Sequence, residues 1–185
     1  MAKKLPEKVY QFHISLKNIK PMIWRRFLAP ENITLRKLHK VIQAVMGWGD
    51  FHFYTFSIFD EDYGLKHEDF DFIDIEDDKR IKIIDLDLAE KEKFEYVYDF
   101  GDNWEHVVKV EKILPFDPSE TYPKCLVGKR ACPPEDCGGI WGYEEILELS
   151  KMPKGELDED QLERLDWLGE HDFEYFSADE TNEII

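Results

Sequence analysis

FEYVYDFGDNWEHVVKVEKIL, residues Phe94–Leu114, decides the architecture. Phe94, Tyr96, Tyr98 and Phe100 fall on every second position, and so do Trp104, His106, Val108 and Val110. A period of two with aromatic and β-branched residues is the pattern of a strand buried on one face. Gly101, Asp102 and Asn103 between the two runs supply turn chemistry, so the segment predicts an antiparallel hairpin. Pro115 lacks a backbone donor and ends the pairing.

Upstream, Val9–Leu16 alternates in the same way, with Tyr10, Phe12, Ile14 and Leu16 facing inward. A turn at Asn18–Pro21 leads to a hairpin partner at Ile23–Leu28, which carries the exposed-looking pair Arg25 and Arg26. Leu35, Leu38, Ile42 and Val45 recur at helical spacing, with Asn32 or Thr34 as cap and Gly47 as stop. His39 lies on the flank of that stripe, where a lone histidine usually has a structural role. Phe51–Phe59 reads as an aromatic strand. The acidic stretch 60–92 reads as loop with edge-type strands at Phe70–Ile75 and Ile81–Leu88.

Downstream, residues 115–142 hold five of the nine prolines and all three cysteines, together with Gly138, Gly139 and Trp141. That composition predicts a long ordered loop, a class often functional. Helices are expected at Tyr143–Lys151 and Glu159–Leu168, with a third starting at Ser177, which stands at capping-box distance from Glu180. The fold class is therefore α+β, with mainly antiparallel sheet and packed helices. We read 1–185 as a single domain, with 60–92 as the place where two closely associated subdomains would divide.

With 43% hydrophobic and 14% aromatic residues, the chain has ample material for a core. No apolar run approaches the ~20 residues that span a bilayer, and the N-terminal residues lack a signal-peptide pattern. Three cysteines form no disulfide framework, so the expected compartment is the cytoplasm. The net charge of −17 is uneven: residues 1–50 carry ten basic and three acidic side chains, a net +7, which leaves −24 for the rest. Such a body repels phosphate backbones, so duplex DNA is not the expected partner, nor is a membrane. The plainer reading of the asymmetry is mutual attraction of the two halves within one fold.

Three segments resemble a known family: Met22, Ile23, Trp24, Arg25 and Arg26 followed by Leu35, Leu38, His39 and Met46, Gly47, Trp48; Tyr98 to His106; and Ala131 to Gly139 with Gly142 and Tyr143. In this order they are similar to the plasmid pRiA4b ORF-3-like family. The resemblance implies an α+β fold of associated sheets and an association with plasmids and mobile elements, sometimes under a resolvase-like label. The label does not follow from these residues. No serine stands near a cluster of the six arginines, as recombinase chemistry requires.

Asp99, Asp102, Glu105 and His106 flank the hairpin turn, and Glu135 and Asp136 lie in the proline-rich loop. Carboxylates with an imidazole suit a divalent-metal hydrolase or acid–base catalysis. The plainer reading has Asp99 and Asp102 bonding turn amides. We expect both segments to converge on a pocket lined by Trp104, Trp141 and Tyr143. Cys125, Cys132 and Cys137 are spaced more widely than ordinary zinc pairs, and with a histidine they form a candidate set for zinc or another divalent metal. No P-loop, Rossmann glycine pattern, H-E-x-x-H or G-x-S-x-G is present. The leading expectation is a non-enzymatic binding domain whose acidic, aromatic-lined cleft takes a basic protein, peptide or small cationic ligand. A metal-dependent hydrolase comes next, and third a nucleic-acid-associated module using residues 17–40.

Overall fold

In the computed structural model, which describes residues 5–66 and 75–185, β1 (Lys8–Leu16) and β2 (Trp24–Pro30) form the first antiparallel pair. Helix α1 (Leu35–Met46) follows; the Thr34 side chain accepts from Lys37 N–H, and Gly47 closes it at φ 96°. The chain continues through β3 (Tyr54–Ile58), β4 (Glu61–Gly64), β5 (Glu76–Asp77), β6 (Lys93–Tyr98), β7 (Trp104–Pro115) and β8 (Lys124–Lys129). It ends in α2 (Gly139–Leu149), α3 (Glu159–Leu168) and α4 (Ala178–Ile184).

The strands form one eight-stranded sheet in the order β5-β4-β3-β6-β7-β1-β2-β8, antiparallel except for the β4–β5 pair. The fold is α+β. The hairpin read from Phe94–Leu114 lies at its centre, with Tyr98 opposite Trp104 and Tyr96 opposite His106. Its inward residues pack with Phe12, Ile14, Tyr54 and Phe56 into one cluster, against which α1 buries Leu35, Leu38 and Ile42. Burial of each such side chain is worth roughly 1.5–3 kcal/mol.

Several expectations change. Phe100 does not continue the β6 face; the turn opens at Asp99 and leaves Phe100 partly exposed. Ile81–Leu88 is not a strand but holds a 3-10 turn at Ile83–Leu86, which buries Ile83 and Leu86. Of Phe70–Ile75, residues 70–74 lie outside the described residues. The proline-rich segment contains β8, and α2 begins four residues earlier than read. At α4 only half of the capping box forms: Ser177 accepts from Glu180 N–H, while the Glu180 carboxylate accepts from Tyr175 Oη.

The Arg25 and Arg26 pair is not exposed. Arg25 is buried against Phe176 and donates to the carbonyls of Val45, Trp24 and Lys129. Arg26 pairs with Glu111, Arg36 with Asp78, and Lys17 with Glu95 and Glu105. Basic side chains of the N-terminal part thus pair with acids of the remainder. His39 is fully buried: it stacks on Tyr54 at 3.4 Å and bridges Tyr96 Oη at 2.8 Å to Asp50 at 2.5 Å. No helix among the described residues is long and apolar enough to cross a membrane.

Candidate functional site

Three loops meet at one end of the hairpin. The turn 99–103 is shaped by Asp99 (φ 56°) and Asn103 (φ 54°), residue types that tolerate the left-handed region because their short side chains bond locally. Asp99 Oδ1 accepts from Gly101 N–H at 2.9 Å, and Asn103 N–H donates to Asp99 O at 2.6 Å.

The second loop, 131–139, is fastened to this turn and to the third, 47–53. Gly138 N–H donates to Asp102 Oδ2 at 3.2 Å. Gly139 (φ 66°) lies so close that a Cβ would stand 2.5 Å from Asp102 O, so only glycine fits there. Glu135 accepts from Gly49 N–H at 2.9 Å and from Tyr98 Oη, while Trp48 Nε1–H donates to Pro133 O at 2.9 Å. Asp102 and Glu135 are therefore latches between loops. The turn and the Pro-Pro-Glu-Asp loop do converge.

Their convergence brings in a residue that sequence reasoning missed. His52 Nε2 lies 3.3 Å from Asp136 Oδ1 and 3.7 Å from Asp99 Oδ2. Among the described residues, His52, Asp99 and Asp136 are the group of His, Cys, Asp and Glu side chains whose ligand atoms all lie within 4.8 Å. A histidine inside an aromatic run carries no spacing motif, so nothing in the sequence marks His52.

The remaining candidates lie elsewhere. Trp104 is buried beside Trp48, and Tyr143 is buried against Phe173. Trp141 stands 82% exposed on the surface. The three do not line one pocket, because alternation and helix packing turn the first two into the core. His106 is also core, with Nδ1 at 3.1 Å from Tyr96 O; burial lowers its pKa to about 4. The three cysteines are free and buried, and burial raises Cys125 to about 11 and Cys137 to about 12, with Cys132 shifted the same way. Protonated thiols are poor metal ligands, and the cysteines do not assemble into such a group among the described residues.

A cleft with three carboxylates and one indole lies at a different place from that expected. It measures about 430 Å³ and is lined by Asp136, Cys137, Asp160, Glu163, Arg164 and Trp167. Arg164 is engaged, donating to Cys137 O at 2.9 Å and lying 3.2 Å from Glu145. Among the described residues no cation pairs with Asp160 or Glu163. Trp167 is exposed beside them. Asp136 thus belongs both to this cleft and to the His52 cluster.

Other proteins are similar to this chain over most of its length. An uncharacterized protein, y4hQ, of Sinorhizobium fredii is 37% identical over 172 residues, covering 92% of this chain and 86% of its own. The crystal structure of a protein of unknown function, MM3350, from Methanosarcina mazei Go1 superposes with a TM-score of 0.85 at 41% identity, over 95% of this chain and 98% of its own. The family model of the plasmid pRiA4b ORF-3-like proteins matches residues 8–181, nearly the whole chain, and the chain belongs to that family.

Proposed function

We propose that the protein is a non-enzymatic binding domain whose cleft between loop 131–139 and α3 takes a basic side chain of a peptide or protein. The observation that carries this reading is the cleft itself: Asp136, Asp160 and Glu163 stand around an exposed indole, Trp167. A lysine or arginine head group finds both halves of its recognition there. Carboxylates pair with the charge, and the Trp167 face adds a cation–π contact worth ~0.5–2 kcal/mol. The −24 charge of residues 51–185 draws such a partner by long-range attraction.

The test is a titration of metal-chelated protein with a short Lys/Arg peptide at low salt, followed by tryptophan fluorescence. Binding should weaken at least about tenfold in Trp167→Ala and in Asp160→Asn/Glu163→Gln, with melting unchanged, and should fall with added salt. No binding, or equal binding by the variants, overturns the reading.

A further inference from the structure

We propose that His52, Asp99 and Asp136 together bind a divalent first-row transition-metal ion of the manganese-to-zinc series. This site shares Asp136 with the cleft but does not depend on what the cleft binds.

The spacing of the donor atoms fits one ion. Donor atoms at about 2.1 Å from one ion lie roughly 3.0–3.4 Å apart, at octahedral and tetrahedral angles respectively. The distances from His52 Nε2, 3.3 Å to Asp136 Oδ1 and 3.7 Å to Asp99 Oδ2, sit close to that interval. The second is too long for a hydrogen bond.

One ring nitrogen of the cluster is orphaned. His52 Nε2 is buried and has no hydrogen-bond partner, although it points at two carboxylates. Asp99 faces it from a side chain only 8% exposed; its Oδ1 is occupied by Gly101 N–H, and no described group donates a hydrogen bond to Oδ2. A buried imidazole nitrogen left without a partner beside two carboxylates is costly unless a cation completes the group.

The cluster is held rigidly and is open to solvent. Asp99 is fixed by its own turn, and Asp136 by a loop held through Glu135 and the Gly138–Asp102 bond. Asp136 is 72% exposed, so an ion has a path from solvent and keeps positions open for water. One imidazole with two carboxylates suits ions between manganese and zinc better than calcium or magnesium, which favour oxygen ligands alone. The buried, protonated cysteines offer no competing thiolate site.

The experiment uses the full chain made without a polyhistidine tag, stripped with chelator, and titrated calorimetrically with zinc and manganese chlorides in the absence of peptide. One equivalent of at least one of the two should bind with a Kd below about 10 µM, and His52→Ala and Asp136→Asn should each weaken it at least about tenfold. Both side chains are partly exposed, so folding is checked by urea denaturation of each variant. Asp160→Asn, which touches only the cleft, should leave metal binding unchanged, so this proposal and the peptide reading fail separately. No binding of either ion by the folded protein overturns the proposal. Binding that persists unchanged in His52→Ala overturns it equally, since the ion then sits elsewhere.

Discussion

The covered face of the sheet and helix α3 are both rich in aromatic and titratable side chains, yet they do opposite things with them. Under α1, Tyr96, Trp104 and His106 are buried, as is His39 on the helix itself, and burial lowers the pKa of both histidines. Along α3 no residue is buried, and Asp160 and Glu163 stand open beside Trp167. An aromatic residue on an alternating strand contributes to stability, whereas one on a helix with no buried face is available to a partner. Trp104 and His106, candidates in the sequence, therefore belong to the first class, and Trp167 belongs to the second.

The strongest way to break this division is Trp104→Ala. The indole is buried in contact range of Trp48, and its removal leaves a cavity in the central hairpin. A loss of about 3–5 kcal/mol in urea denaturation is expected, with peptide and metal binding retained below the transition. A cost under about 1 kcal/mol would show that this face is not the core.

Acid provides the next test. Burial lowers the folded pKa of His106 from the ordinary 6.5 to about 4. A depressed value means the neutral form is favoured in the fold, so the contribution is complete above pH 6.5 and is lost as pH falls toward 4. By pH 4 the loss from this group alone is on the order of 3 kcal/mol. His39, lowered to about 2 by burial, acts in the same direction over a wider range. Urea midpoints between pH 7 and 4 should fall accordingly, and His106→Gln should start lower at pH 7 but decline less steeply. An unchanged slope in that variant would remove His106 from the account.

Much of the frame was legible because its elements obey simple periods. The hairpin, β1, β2, α1 and α3 follow from alternation, helical spacing and caps. β8 was hidden because KCLVGK buries only Cys125, so an edge strand left no alternating signature. Ile83–Leu86 misled because two apolar residues three apart suit a 3-10 turn as well as a strand read by hydropathy. At the site, Asp99 and Asp136 were visible as acids in rigid turns. His52 was not, since its role arises only when three loops far apart in sequence are folded together.

The smallest effect concerns the latch between the two regions. Glu135→Gln would spare stability and abolish binding if the acid served a ligand, and would cost stability and spare binding if it only held a turn. The geometry favours the second outcome. Glu135 accepts from Gly49 N–H and from Tyr98 Oη, and Tyr98 Oη in turn accepts from Phe51 N–H at 3.1 Å. An amide keeps the shape but loses the charge, and one of its positions must set an NH2 against Gly49 N–H or against a hydroxyl whose acceptor capacity Phe51 already uses. Charge-assisted bonds exceed neutral ones by about 1 kcal/mol, so a stability loss of ~1–2 kcal/mol is expected. Because the bond partners are known, a cycle with Tyr98→Phe sharpens the test: the two losses should be less than additive, since each change removes the same contact. Metal affinity at His52 should fall only modestly, through looser placement of Asp136. A full loss of metal binding with stability unchanged would make Glu135 a ligand rather than a latch.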